Sequence, residues 1–464
     1  RSMSIARGNL KPAHAGYIFQ DTVTAYCLLK LALGNYDQVS VDIKKVEDDR
    51  FDDLELIKNK MKTRIQVKSS LDKNMPLSHT NFTYKNDGYN LRVDRLVRTF
   101  KQETSPISEF RLLATWQEPT TKDNLSNYLL TIDAIPTLPI SNVHLYKLNA
   151  NLIWPKSQNP IWKQLCVNTD ITRDDFLKFC EVFILELCIP NVSLDLNNPN
   201  QVENAILSLL TDNIGIGRYP NTDRTARDVA ALTFALAAHA RTQERTITAQ
   251  DVLKALEIRI DFGRISQSFP LDPKYLYDKP TFRENILDLN IDSKILLITG
   301  PPGIGKSWAL TDLAHYLAND FIVARHYCYL EPGDELVEKR ITTDVLFANL
   351  IADLHKVCGL NITDIQRFSA DLTTLELTLE QCSKLGKLII LIVDGLDHIS
   401  RVKESSNTLS DNETDIVEQL ATLDLPKNVK IIIGSQPGTH LLPILNRKDV
   451  KHYELPTWKN QEIL

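Results

Sequence analysis

The sequence predicts an α/β protein with two chemical centres, one in each half of the chain. In the second half, a short run rich in β-branched residues at 294–299 is followed by a glycine-containing loop at 300–307 and by apolar residues at helical spacing through 308–317. In the first half, residues 50–58 and 64–70 alternate between apolar and polar side chains with a period of two, as the strands of a hairpin do. These two patterns decide the fold class.

The loop has the pattern and the flanks of a phosphate-binding loop. It reads Gly-Pro-Pro-Gly-Ile-Gly-Lys-Ser, which matches G-x-x-x-x-G-K-[ST] between a strand and a helix. Backbone N–H groups and the positive end of the helix can bind phosphate oxygens, and Lys306 can reach the β- and γ-phosphates. Ser307 supplies an oxygen for Mg²⁺. The sequence therefore predicts ATP with Mg²⁺, bound by Gly300, Pro301, Pro302, Gly303, Ile304, Gly305, Lys306, Ser307, Trp308 and Asp394.

A second apolar run supports this prediction. Residues 387–393 end in Asp394-Gly-Leu-Asp397, and a carboxylate at the end of such a strand orients the Mg²⁺ shell in P-loop proteins. We assign that role to Asp394 and expect Asp397 to polarise the attacking water. The alternative is an ordinary turn, because Asp and Gly are common in turns. A further strand at 429–434 precedes Gln436, where a γ-phosphate sensor is expected.

These segments resemble the STAND branch of the AAA+ ATPases, which includes the NACHT proteins. In that branch the second motif usually ends in Asp-Glu and the sensor tripeptide is Ser-Arg-Pro, whereas this chain has His398 and Gln436 at those positions. The resemblance implies nucleotide binding, and the two departures from its motifs favour slow hydrolysis. It also makes Arg283 a candidate for the adenine border, although an ordinary surface arginine fits that position equally well.

The hairpin in the first half brings an acid, an amide and an amine together. Asp53 shares one face of the first strand with Glu55, and Gln66 and Lys68 share one face of the second. Carboxylate and amide oxygens can hold Mg²⁺, and a lysine can stabilise the charge that develops during phosphodiester hydrolysis. The predicted metal ligands are Asp53, Gln66 and the carbonyl of Val67, and the predicted catalytic residues are Asp53, Gln66 and Lys68.

An acid followed by Gln-x-Lys on adjacent strands resembles the PD-(D/E)XK nucleases in their Q-x-K form. With the segment at 16–20 opening a first helix, the chain is similar to the double-stranded DNA endonuclease domain of CBASS effectors and antiviral STAND (Avs) proteins. Gln20 is a possible outer member of the site. The resemblance implies Mg²⁺-dependent cutting of double-stranded DNA, a homo-oligomer that is a tetramer in the full-length protein, and a phage protein as the trigger.

Three alternatives remain open at this stage. A solvent-exposed hairpin would show the same alternation, and Asp52 could be the metal ligand in place of Asp53, although its face is shared with Leu54 and Leu56. The chain could also be a nucleotide-gated DNA-binding scaffold with an inactive nuclease fold. An NTP-dependent restriction enzyme is disfavoured because no helicase motifs follow the P-loop.

Composition limits the partners. The net charge of −6 gives no global basic field, so DNA contact needs a local patch. The helical stripe with Arg92, Arg95 and Lys101 is one candidate, although a solvated helix face is the simpler interpretation. The seven cysteines form no C-x-x-C pair, which favours reduced thiols and a cytoplasmic protein without a membrane span.

The expected domains are a PD-(D/E)XK restriction-endonuclease-like domain with a helical C-terminal part (1–265), a linker (266–280), a P-loop AAA+/STAND NTPase domain (281–456) and the start of a helical or winged-helix module (457–464). Residues 105–265 are predicted to be mostly helical. Since STAND proteins continue into a repeat-built sensor, we expect the chain to be a fragment that lacks it.

Overall fold

The computed structural model describes residues 11–83, 91–154, 170–193, 196–270, 282–284, 286, 293–360 and 368–456. The chain divides into two compact units. The first unit comprises Arg1–Asn213 and Arg224–Ile258, and the second comprises Ile214–Asp223 and Arg259–Leu464.

These boundaries differ from the expected ones at two places. The first unit ends at Ile258 rather than at residue 265, and the segment Ile214–Asp223, predicted to lie in the first domain, belongs to the second unit. Backbone hydrogen bonds explain the second difference, since Phe368 N donates to Ile214 O at 2.8 Å and Ala370 N donates to Tyr219 O at 2.8 Å. The module expected at 457–464 lies outside the described residues.

The first unit contains seven strands and eight helices among its described residues. In chain order they are α1 (Lys11–Ala32), β1 (Gln38–Val41), β2 (Leu54–Lys58), β3 (Met61–Lys68), α2 (His79–Thr83), α3 (Val93–Gln102), β4 (Ile107–Ala114), β5 (Leu129–Thr131), β6 (His144–Leu148), α4 (Ala150–Ile153), α5 (Arg173–Val182), β7 (Phe183–Leu187), α6 (Gln201–Ser208), α7 (Ala226–Ala240) and α8 (Ala249–Ala255).

All seven strands form one mixed sheet in the order β1-β2-β3-β4-β7-β6-β5. The predicted hairpin is β2 and β3, which pair antiparallel with Leu54 opposite Ile65. Strand β4 then pairs parallel to β3, with α3 in the connection between them. The consequence is that the end of β3, which carries Gln66 and Lys68, lies inside the sheet and not on an exposed hairpin.

The prediction that residues 105–265 are mostly helical was wrong for their first half. Four strands, β4 to β7, lie between residues 107 and 187. Strand β7 is buried at every position, and short buried apolar runs have no period that separates strand from helix. The later helices were predicted correctly: α8 begins with the expected capping box, in which Thr248 accepts from Asp251 N and the Asp251 side chain accepts from Thr248 N.

The second unit alternates strands with helices around a parallel sheet. Its elements are β8 (Ile295–Thr299), α9 (Lys306–Leu317), β9 (Ile322–Tyr327), α10 (Val337–Arg340), α11 (Thr343–Cys358), α12 (Leu372–Ser383), β10 (Ile389–Asp394), α13 (His398–Ser405), α14 (Ile416–Thr422), β11 (Val429–Ser435), α15 (Leu442–Leu445) and β12 (Val450–Glu454).

The five strands run in the order β12-β8-β11-β10-β9, and every pairing is parallel. Residues of β8 alternate between two cores: Ile295 and Leu297 pack in one, and Leu296 and Ile298 pack in the other. Because both faces are covered, the central strands are apolar at nearly every position. The carboxyl ends of β8, β10 and β11 meet at one edge of the sheet, where the predicted ATP site lies.

Part of the expected linker is packed against this sheet. Gln267 Oε1 accepts a hydrogen bond from Tyr327 N at 3.2 Å, and the Phe269 ring stacks on the Tyr327 ring with centroids 5.6 Å apart. Residues 266–270 are therefore not a linker, while residues 271–280 of that prediction lie outside the described residues. No described helix is long and apolar enough to cross a membrane.

Candidate functional site

The loop at 300–307 joins β8 to α9 with two glycines in left-handed backbone conformations. Gly303 has φ 76° and Gly305 has φ 89°, and α9 begins at the next residue, Lys306. L-residues with a Cβ rarely adopt these angles, so glycine is needed at both positions. The loop thus turns into the first turn of a 12-residue helix, as a phosphate-binding loop does.

The ammonium group of Lys306 lies inside this loop. Its Nζ donates to Gly300 O at 2.8 Å and to Pro301 O at 3.0 Å. Burial lowers the pKa of Lys306, and the nearby Asp397 and Asp394 carboxylates oppose that effect. A phosphate oxygen would form a stronger, charge-assisted hydrogen bond than these carbonyls do. Lys306 is therefore positioned to exchange its loop contacts for a phosphate.

Ser307 and Asp394 meet at the edge of the sheet. The Ser307 side chain hydrogen-bonds the Asp394 carboxylate, and burial raises the pKa of Asp394 to about 6. Asp394 is 1% exposed, and its Oδ2 has no hydrogen-bond partner in the described part of the chain. A buried carboxylate oxygen without a donor is costly, and a cation would offset that cost. The two residues therefore fit the oxygen ligands that Mg²⁺ prefers.

Asp397 has different partners from those expected. Its Oδ1 accepts from Gln436 N at 3.0 Å, and its Oδ2 accepts from Arg401 Nη2 at 2.6 Å. These bonds fix the start of the segment after β11, where Ser435 Oγ donates to Gln436 O at 2.9 Å. Asp397 is thus placed to position the predicted sensor, and its role in polarising water stays a prediction.

The remaining predicted residues of this site differ in their burial and contacts. Ile304 is buried in one of the two cores, while Pro301 and Pro302 are exposed at the loop surface. Trp308 is half-buried beside the Phe269 ring, with centroids 6.4 Å apart. Arg283, the candidate for the adenine border, forms a two-pronged ion pair with Asp312 of α9.

In the first unit, Asp53, Gln66 and Lys68 converge at the junction of β2 and β3. Asp53 Oδ2 accepts from Val67 N at 2.6 Å and from Gln66 Nε2. Burial raises the pKa of Asp53 to about 7, and the positive charge of Lys68 and the Val67 N–H oppose that rise. The structure thus brings together the acid, the amide and the amine that the alternation pattern predicted.

The contacts distinguish the two aspartates. The carboxylate of Asp53, not that of Asp52, accepts hydrogen bonds from Gln66 and Val67, and the choice of Asp53 as the metal ligand stays a prediction. The backbone carbonyls of both residues pair with the segment after β1, since Asp42 N donates to Asp53 O and Ile43 N donates to Asp52 O. Burial raises the pKa of Asp52 as well.

The predicted ligands Asp53, Gln66 and Val67 fit a divalent cation only after the Gln66 amide rotates. No group of three or more His, Cys, Asp or Glu residues suited to a metal occurs in the described ranges. The predicted set instead combines one carboxylate with two amide-type oxygens. The Gln66 amide presents its nitrogen to Asp53, so its oxygen would ligate a metal only after the amide turns by half a rotation.

Gln20 lies on α1 near the same end of β3. A Cβ on Gly16, one turn earlier, would lie 3.9 Å from Ser69 Oγ, so the start of α1 is beside the end of that strand. Gln20 is 6% exposed, and its Nε2 has no hydrogen-bond partner among the described residues. A bound phosphate or water molecule could accept the hydrogen bond that this buried N–H group lacks.

One comparison with known proteins matches a segment of the second unit. The family described as "Nephrocystin 3, N-terminal" matches residues 274–436. One similar solved structure is that of the Aeropyrum pernix ORC2 protein in ADPNP-ADP complexes, with 14% identity and a TM-score of 0.27. The match covers 44% of this chain and 53% of that chain, so it spans about half of the Aeropyrum protein. No curated protein matches.

The second unit is a P-loop NTPase-like domain. Its parallel sheet, its loop at 300–307 and the matched segment coincide, and the site of the NTPase-like domain is formed where β8, β10 and β11 end.

Sequence reasoning missed one residue of this site, Gly434 of β11. A Cβ there would overlap Asp394 Oδ1 and the Leu310 side chain, so only glycine lets β11 pass the carboxylate. A lone glycine inside a strand is the signal that indicates such a close approach.

Proposed function

We propose that the chain is an ATP-gated, Mg²⁺-dependent DNA endonuclease of prokaryotic antiphage defence, acting in the cytoplasm. The observation that carries the proposal is the convergence of Asp53, Gln66 and Lys68 at one point of the first unit, in the same chain as an NTPase-like domain. Self-association, a tetramer in the full-length protein, and a phage protein as trigger follow from the resemblance to antiviral STAND proteins.

ATP binds in the NTPase-like domain when its phosphates replace the contacts that Lys306 makes within the loop. Lys306 leaves the carbonyls of Gly300 and Pro301 for the β- and γ-phosphates, and backbone N–H groups of the loop take the remaining oxygens. Ser307 and Asp394 hold Mg²⁺, which neutralises phosphate charge when bound. Because Gln436 is tied to Asp397, a γ-phosphate that contacts Gln436 also moves the segment after β11. ATP then acts as a switch through its differential contacts with two states.

Asp53, Gln66 and the carbonyl of Val67 would hold Mg²⁺ in the nuclease site, and the ion would supply an activated water and a Lewis acid for phosphodiester hydrolysis. Asp53 must be deprotonated to ligate, and the positive charge of Lys68 favours that form. Lys68, whose charge acts on Asp53, would stabilise the negative charge that develops on a phosphate held at this site. Its contribution is therefore greater in the transition state than in the bound ground state.

Two observations favour a second candidate, a nucleotide-gated DNA-binding scaffold with an inactive nuclease fold. Gln66 donates to Asp53 in place of offering its oxygen, and the Asp53 pKa of about 7 leaves the acid partly protonated at neutral pH. A site that stays in this arrangement would bind DNA without a metal. An NTP-dependent restriction enzyme is not supported by any contact in the two sites.

Supercoiled plasmid tests the proposal. The chain with ATP is incubated with plasmid in Mg²⁺ and, in parallel, in excess chelator, and light scattering follows its mass with and without ATP. We expect the chain on its own to be mainly monomeric and to cut poorly, so the loss of supercoiled plasmid should be slow and occur only with Mg²⁺, and a larger particle should form only with ATP. Intact plasmid under conditions in which the larger particle forms would favour the scaffold.

A further inference from the structure

A groove at the outer edge of the first unit's sheet lies next to the candidate nuclease site. It encloses about 650 Å³ and is lined by residues 42–45 and 244–246. We call it the edge groove. Its two walls come from the segment after β1 and from the segment that leads into α8.

The walls are held together by backbone pairing. Val39 N donates to Ile247 O at 3.0 Å, and Ile247 N donates to Val39 O at 2.7 Å. Ser40 Oγ lies 3.4 Å from Thr246 Oγ1, which adds a side-chain link beside this pair. The groove is therefore a built feature of the fold, because β1 fixes both of its sides.

The same wall runs directly to the predicted metal ligand. Asp42 N donates to Asp53 O at 3.0 Å, and Ile43 N donates to Asp52 O at 3.1 Å. The next two residues along this wall are Lys44 and Lys45. Cations thus follow within three residues of the position that pairs with Asp53.

The cations of the edge groove are held only by long contacts. Lys44 is exposed and has no ion pair in the described part of the chain. Lys45 Nζ is 3.7 Å from Glu55 Oε1, and Arg245 Nη1 is 3.8 Å from Asp251 Oδ1. Both distances exceed a normal hydrogen bond, so a phosphate oxygen can take these donors without breaking a bond already made. Asp42 and Glu244 also line the groove, leaving one net positive charge.

The other basic surface considered from the sequence is largely paired with carboxylates. Two cations of the α3 stripe form short ion pairs, at 2.6 Å for Arg92 with Asp94 and 2.9 Å for Lys101 with Asp175, and Arg95 lies 3.7 Å from Asp48. Phosphates would have to displace these carboxylates. The stripe is therefore a solvated, self-paired helix face and a poorer DNA surface than the edge groove.

We propose that the edge groove holds the sugar-phosphate backbone of duplex DNA beside the phosphodiester that Asp53 and Lys68 act on, through Lys44, Lys45 and Arg245. The inference rests on the proposed nuclease function. Duplex DNA carries one negative charge per about 1.7 Å of its axis, so a duplex bound at the groove would bring phosphates to its three cations. These contacts position the duplex without reading its sequence.

Salt dependence of DNA binding tests this inference without any cleavage. The variant Lys44→Gln/Lys45→Gln/Arg245→Gln and the unmodified chain are titrated onto a short labelled duplex in chelator, over a series of salt concentrations. Each phosphate contact contributes about 0.9 to the slope of log K against log salt, so we expect the slope of the variant to be smaller by about 2 to 3. A matched variant, Lys60→Gln/Lys178→Gln/Arg227→Gln, removes the same charge from exposed positions elsewhere on the unit and should keep the slope.

Three results would overturn the inference. An unchanged slope in the groove variant excludes these contacts, and plasmid cleavage by the unmodified chain would then show that the nuclease function stands without them. An equal loss in the matched variant would mean that overall charge, not the groove, governs binding. Absence of duplex binding by the unmodified chain would remove both this inference and the proposed function. Urea denaturation of all three proteins, with equal unfolding free energies, checks that each is folded.

Discussion

Gly434 of β11 gives the Asp394 carboxylate its space: a Cβ at position 434 would overlap Asp394 Oδ1 and would lie 3.2 Å from Asp394 Cγ. The two residues are paired across β10 and β11, so neither strand can move away without breaking the parallel ladder. The carboxylate that fits Mg²⁺ is therefore positioned by the absence of one side chain.

Gly434→Ala should displace Asp394 and weaken Mg²⁺·ATP binding. Overpacking of this kind costs about 1–3 kcal/mol of unfolding free energy. Chemical denaturation and calorimetric titration of ATP in Mg²⁺ measure the two effects. Gly386→Ala is the control: its φ of 72° costs about 1–2 kcal/mol, but nothing lies within 4 Å of its Cβ, so ATP affinity should not change. Equal ATP affinity in both variants would contradict the role of Gly434.

Lys306→Ala should abolish ATP binding, because Lys306 is the cation that the loop at 300–307 encloses. Calorimetry measures the affinity directly. Lys384→Ala removes an exposed lysine of the same unit, whose Nζ lies 3.8 Å from Glu380 Oε1, and should bind ATP as the unmodified chain does. Unchanged affinity in Lys306→Ala would exclude the assignment of the loop.

Buried His326 should make the NTPase-like domain sensitive to acid. His326 Nε2 donates to Arg340 O at 2.8 Å and Nδ1 accepts from Asn349 Nδ2 at 3.0 Å, so the folded ring is neutral. Burial lowers its pKa from 6.5 to about 4. Below pH 6.5 the unfolded chain binds a proton that the folded chain does not, and stability falls until the pH passes about 4.

The size of this effect follows from linkage. Between pH 7 and pH 5 the unmodified chain should lose about 2 kcal/mol more unfolding free energy than His326→Gln, whose amide can donate and accept without titrating. Urea denaturation of both proteins at the two pH values isolates this difference, since every other group titrates alike in both. Parallel losses in the two proteins would show that His326 does not control the acid sensitivity.

The phosphate-binding loop was predictable because its chemistry is local. Eight consecutive residues supply the turn, the cation and the start of α9, so the pattern needs no distant partner. Asp53, Gln66 and Lys68 were predictable for a related reason. The period of two fixes which side chains of a hairpin share a face, and β2 and β3 do pair as an antiparallel hairpin.

Arg64 marks the limit of that reasoning. It shares the face of Gln66 and Lys68, where alternation predicts a solvated cation, yet it is 0% exposed. Its Nη1 donates to Glu103 Oε2 at 2.9 Å and its Nη2 donates to Asp49 Oδ2 at 2.5 Å. These partners lie 39 and 15 residues away in sequence. No periodic pattern encodes such a buried ion pair, because only the folded chain brings the carboxylates together.

Residues 266–270 were predicted to be a linker because of the composition of the sequence around them. Prolines and aspartates near this segment indicate a linker, but its aromatic residue, Phe269, stacks on Tyr327 at the edge of the parallel sheet. The bond from Arg340 Nη1 to Ser266 O at 2.7 Å adds a second anchor. Turn-forming residues indicate only the local conformation of the backbone. Whether such a segment packs against a domain depends on contacts such as that of the Phe269 ring, which the composition does not predict.

Plasmid degradation by variants of the first unit tests the central claim most directly. Lys68→Ala and Asp53→Ala remove the two charges of the candidate site, and loss of one positioned charge costs on the order of a hundredfold or more in rate. We expect both variants to stop cleaving plasmid in Mg²⁺ while they keep ATP and DNA affinity. Asp52→Ala, whose carboxylate makes none of the contacts to Gln66 and Val67, should retain the metal dependence of any cleavage. Cleavage at the unmodified rate by both Lys68→Ala and Asp53→Ala would contradict the nuclease assignment.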